Sequence, residues 1–180
     1  MRAFRLSLMS GILYLIASGI VFADDRKIEE FFGSYIGHAE SSEELGRDMS
    51  VTIGGIDDST DYFVKWSTVI HKSHDRTKRV TYNIRFTQSK RKSLQVSAMA
   101  RDVFGKPIPL DPLKGDPLFW ARIKGDTHTV YAMIITDDGG FDLQVYNRTL
   151  TEDGLSLEFI RQNDDQSVRK IHANLIRVSN

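Results

Sequence analysis

Cysteine is absent from the chain, which excludes disulfides, thiolate metal ligands, a cysteine nucleophile and a lipid-acceptor cysteine behind any leader. Proline is scarce, and its four copies, Pro107, Pro109, Pro112 and Pro117, fall in one short stretch. Charge of either sign is not in excess: 24 basic residues face 24 acidic ones, so long-range attraction to a polyanion, and hence nucleic acid as a partner, is not expected. No segment is continuously apolar over the roughly 20 residues that cross a bilayer as a helix, so no transmembrane segment is expected in the mature chain. Neither a Gly-x-Ser-x-Gly elbow nor a glycine-rich phosphate loop is present. These absences leave no catalytic residue, no metal site and no cofactor to nominate.

What is present begins with an export leader. Arg2 and Arg5 supply a positive start, Leu6 to Phe22 is largely apolar, and Val21-Phe22-Ala23 has the look of a peptidase site. Residues 1–23 are therefore expected to be a signal peptide cut before Asp24, and residues 24–180 a single β-barrel domain of periplasmic or secreted location. Loss of the leader leaves 22 basic residues against 24 acidic ones.

The mature part reads as strands between turns. Val80, Tyr82, Ile84 and Phe86 alternate with Thr81, Asn83, Arg85 and Thr87, the period of a half-buried strand. Alternation recurs at Met49, Val51 and Ile53; at Val64, Trp66 and Ile70; at Leu94, Val96 and Ala98; and at Phe141, Leu143 and Val145. Leu155, Leu157 and Phe159 repeat it, as do Ile171, Ala173 and Leu175. Asp137-Asp138-Gly139-Gly140 and Glu152-Asp153-Gly154 carry hairpin chemistry, because glycine tolerates positive φ. Proline removes amide donors, so residues 102–117 are expected to form a long loop, a lid or a bridge across a barrel end, with about five strands on each side. Ile108, Leu110 and Leu113 are expected to cover something apolar there. The pattern predicts an all-β, antiparallel up-and-down barrel of about 8–10 strands after a short helical lead-in over residues 26–32. A two-sheet β-sandwich is the alternative.

Gly33-Ser34-Tyr35 follows that lead-in, and Arg177 lies on the last strand pattern. This arrangement resembles the lipocalin and calycin group, whose members open with a helical turn and Gly-x-aromatic on the first strand. In this chain tyrosine stands where the family usually has tryptophan. The resemblance implies that Arg177 packs across the Tyr35 ring, that Gly33, Tyr35 and Arg177 form a structural signature, and that a small, mostly apolar molecule binds inside the barrel or the loops inhibit another protein.

Six residues are candidates for a ligand cavity. Trp66, Tyr82, Trp120, Tyr131 and Tyr146 offer apolar area with polar tips, although the same residues also fill packed cores. Arg122 shares a strand face with Leu118 and Trp120. With that face inward it would bind a carboxylate or phosphate; in the opposite register it is solvated. His71-Lys72-Ser73-His74-Asp75 would share a metal only if the strand turned there, and a solvated strand end is the simpler reading. His38, His128 and His172 read as ordinary sheet histidines. Residues 71–92 carry eight basic side chains against Asp75 alone, and a contact with an anionic envelope surface is one expectation from them. Asn147-Arg148-Thr149 spells a glycosylation acceptor. The function expected is an exported carrier of a small, mostly apolar ligand. An interaction or inhibitor module acting through barrel loops, with an envelope protein as its partner, is the alternative, and an envelope hydrolase the third reading.

Overall fold

Strong alternation along most of the chain produces twelve β-strands in a computed structural model that describes residues 24–40, 46–91, 93–97, 100–104 and 106–179. The expected leader at residues 1–23 lies outside the described residues, as do Lys92 and Ala98. The strands are β1 (Gly33–Ala39), β2 (Arg47–Gly55), β3 (Tyr62–Lys72), β4 (Arg76–Gln88), β5 (Gln95–Ser97), β6 (Ala100–Arg101), β7 (Pro107–Ile108), β8 (Leu118–Lys124), β9 (Thr127–Ile135), β10 (Phe141–Leu150), β11 (Gly154–Asn163) and β12 (Val168–Ser179). Ten of them close into an antiparallel barrel in the order β1-β12-β11-β10-β9-β8-β5-β4-β3-β2. Closure excludes the two-sheet sandwich, and every neighbouring pair is a hairpin neighbour except at the β5–β8 and β1–β12 seams.

The proline-rich segment supplies the interruption between the two halves. It contributes β7 to the small β6–β7 hairpin, separate from the barrel, and holds a 3-10 turn, Pro112–Lys114, started by Asp111, whose carboxylate accepts from the Leu113 amide. Its apolar residues do not all cover the barrel: Leu113 is 86 % exposed, and Ile108 is also exposed. The expectation that they cover something apolar is corrected for Ile108 and Leu113, while Leu110 is half-buried. The three-residue β5 pairs with Phe86–Gln88 of β4 on one side and with Trp120 and Ala121 of β8 on the other. Further along β4, from Arg76 to Arg85, no described strand pairs on that side.

One barrel end is plugged. The lead-in forms a 3-10 turn, Ile28–Phe31, that drops Phe31 into the interior against His128, with ring centroids 5.7 Å apart. Tyr35, Ile53, Tyr62 and Phe86 complete this fully buried layer. The Arg177 guanidinium lies 5.0 Å from the Tyr35 ring centroid and donates to the Phe32 carbonyl at 3.0 Å, while the Tyr35 hydroxyl donates to the Phe31 carbonyl at 2.8 Å. The stacked cation and ring thereby tie the lead-in to the first and last strands. The opposite end carries the β3–β4 and β9–β10 turns and is open; Gly139 in the latter has φ +85°, which a side chain would resist.

Candidate functional site

Cross-strand partners in an antiparallel sheet point to the same side, so the registers sort every side chain into interior or exterior. Trp66 pairs with Tyr82, and Tyr146 pairs with Val130 and Phe159; all are inside. Above the plugged layer these side chains surround a cavity of about 420 Å³. That is within the roughly 300–1,000 Å³ of pockets that enclose drug-sized ligands. Its walls are Met49, Val51, Val80, Leu157 and Phe159 together with the polar Thr68, Gln144 and Asp142, and Trp66, Tyr82 and Tyr146 lie toward its floor. The Trp66 ring is 5.0 Å from Tyr82 and 5.1 Å from Tyr146, so the three rings form one aromatic belt.

The other three candidates sit elsewhere. Trp120 pairs with Tyr131 across β8 and β9, while Phe119 and Ala121, which alternate with Trp120, are buried inside. Trp120, Arg122 and Tyr131 therefore project from the outer wall. Trp120 and Tyr131 stack with centroids 5.1 Å apart and planes 5° apart, and Arg122 lies 5.8 Å from the Tyr131 centroid. This is the register in which Arg122 is exposed to solvent, and it corrects the expectation that these residues line the cavity.

Arg148, which entered the sequence reading only as the middle of a glycosylation spelling, is the floor of the cavity. It is 0 % exposed, faces inward on β10, and reaches across the barrel to β3 so that its guanidinium is 5.2 Å from the Trp66 centroid and 5.3 Å from that of Tyr146. None of its three side-chain nitrogens has a hydrogen-bond partner among the described residues. Two ring faces return about 2 kcal/mol each when desolvated, against several kcal/mol for burying the ion. Burial pushes its pKa down to about 10, which still leaves it charged at neutral pH. Asn147, by contrast, is locked in the outer sheet, accepting from Thr129 at 2.9 Å and donating to Glu158 at 2.8 Å.

Beneath Arg148 lies His128, fully buried, with Nε2 3.1 Å from the Tyr62 hydroxyl and Nδ1 unpartnered among the described residues. Burial, reinforced by the Arg148 charge, drives its pKa down to about 3, so the imidazole is neutral. Burial likewise raises both the Tyr62 and the Tyr146 hydroxyls above the ordinary phenol value. Above the belt, Tyr146 donates to Gln144 at 2.7 Å, Gln144 donates to Asp142 at 3.1 Å, and Arg161 grips Asp142 through Nε at 3.0 Å and a terminal nitrogen at 2.9 Å. Arg47, Lys72, Lys78 and Arg169 share the mouth with that ion pair, so cations outnumber acids at the entrance.

His71 and His74 do not converge. His71 Nε2 donates to Asp48 at 2.7 Å on the outer wall, where His38 Nδ1 donates to the other Asp48 oxygen at 2.9 Å. These contacts hold the Asp48 carboxyl below the usual carboxylate range. No group of three or more His, Cys, Asp or Glu side chains among the described residues is arranged to hold a metal ion, and no described helix is long and apolar enough to cross a membrane. The arrangement as a whole offers a partly apolar enclosure, a fully buried Arg148 guanidinium at its floor and a cationic entrance. No protein-family model, curated protein or solved structure matches the chain.

Proposed function

We propose that the chain is an exported carrier that encloses a small, largely apolar molecule inside the barrel, in the periplasm or outside the cell. The observation that carries this reading is the 420 Å³ cavity, open at one end and sealed at the other, whose wall combines aliphatic side chains and an aromatic belt with polar and charged groups toward the mouth. Burial of apolar ligand surface at about 25 cal/mol per Å² supplies the affinity. Packing of Arg177 on Tyr35 supports placing the barrel beside the lipocalins, and the leader-like first 23 residues support export. Native mass spectrometry of gently purified protein tests it: one small molecule retained per chain, or 1:1 uptake of a fluorescent apolar probe, is the expected result. A chain that is always empty and takes up no probe refutes it.

A second reading, an interaction module, is favoured by the proline-rich segment, where Val103 and Phe104 are each 92 % exposed. Such apolar tips are unusual on a surface without a partner. Replacing residues 102–117 with a Gly-Ser linker would abolish capture of a partner from extract under this reading, and undiminished capture would refute it.

A further inference from the structure

Arg148 is a buried cation whose electrostatic complement is missing from the described residues. The inward carboxylate on its own strand, Asp142, is six residues away, about 20 Å at roughly 3.3 Å per residue, and is already paired with Arg161. Ring faces at 5.2 and 5.3 Å stabilise the charge but leave every N–H of the guanidinium fork without an acceptor. That fork matches a carboxylate in two parallel hydrogen bonds, and a low-dielectric site makes such a pair far stronger than one at the wet entrance. Leu157 beside Arg148, and Val51 and Phe159 in the same cavity, offer apolar wall for an aliphatic chain.

We propose that the ligand is an apolar chain ending in a single carboxylate, bound head-down on Arg148 with its tail toward the mouth. This rests on the carrier reading and narrows it to one chemical class. The cations at the entrance, Lys72 and Lys78 among them, raise the local concentration of such an anion. Seating the head requires the Trp66 and Tyr146 rings to part slightly, because the guanidinium nitrogens are closed off when the site is empty.

The chain's two tryptophans make the pose measurable, since Trp120→Phe leaves Trp66, in contact with Arg148, as the sole indole. In that background dodecanoate binds at least tenfold more tightly than dodecanol, and Arg148→Met brings the ratio close to one. Bromine quenches indole fluorescence on contact, so 2-bromododecanoate quenches Trp66 several-fold more than 12-bromododecanoate; no cysteine is present to react with either. Equal binding of acid and alcohol overturns the carboxylate assignment and leaves the carrier reading standing. Stronger quenching by the 12-bromo acid overturns the head-down pose, and failure of both acid and alcohol to bind overturns the carrier reading together with this proposal.

Discussion

His128, buried beside the Arg148 charge, makes the fold sensitive to mild acid. His128 is neutral in the folded barrel down to about pH 3, whereas an unfolded histidine titrates near 6.5. Between those values the unfolded chain holds more protons, so stability rises with pH across the window and is lost as pH falls through 6.5, at about 1.4 kcal/mol per unit once well below it. Urea midpoints measured at pH 7 and pH 5 should drop for the wild type and drop much less for His128→Gln. An equal drop would move the sensitivity to other groups. Arg177 acts at the same scale with opposite visibility. Its ring contact and its bond to the Phe32 carbonyl predict that Arg177→Leu lowers stability by about 2–3 kcal/mol, readable as a fall in melting temperature. Gly33, Tyr35 and Arg177 were legible only through the resemblance of Gly-x-aromatic after a helical turn to the lipocalin opening, which implied the arginine on the last strand. Arg148 was not, because a charged residue in an alternating run is ordinarily assigned to solvent.

The same effect governs whole strands. For β2, β3, β4, β11 and β12 the apolar phase of the sequence is the buried phase: Met49, Val51 and Ile53 face inward, as do Leu155, Leu157 and Ile171. In β10 the phases are exchanged. Asp142, Gln144, Tyr146 and Arg148 are buried, while Phe141 is exposed and Leu143 and Val145 are half-buried on the outer wall. β8 is shifted in the same way, with Trp120 outside and Phe119 and Ala121 inside. Periodicity thus identified the elements and their antiparallel order, and it failed to fix the faces in β10, where the inward residues are polar, and in β8, where both faces carry apolar side chains. Close approach between strands is a second property that periodicity hides. A Cβ on Gly37 in β1 would collide with the Asn174 carbonyl oxygen and lie 2.6 Å from a Leu175 methyl of β12. Gly37→Ala should therefore cost about 1–3 kcal/mol in a denaturant titration, since the neighbour is backbone that cannot swing aside.

At the scale of the molecule, ten strands enclose two different interiors. The lower half, around Phe31, Tyr35, Tyr62 and Phe86, is solid core and carries the stability; the upper half, above Arg148, is hollow. Barrels of this size accommodate either state. Here the lead-in plug and the long Arg148 side chain divide them. The outer wall adds a separate apolar row, Trp120, Tyr131, Val145 and Ile160, which gives any apolar probe a rival place to adhere. A direct test must therefore distinguish inside from outside. Thr68 pairs with Met49 and Val80 in the upper half, so Thr68→Trp fills the cavity without touching the outer wall or the lower core. Calorimetric titration of a long-chain carboxylate into the wild type and into Thr68→Trp is the decisive measurement. One molecule bound per wild-type barrel and none by the folded variant is the predicted result, and equal binding by both would contradict the account.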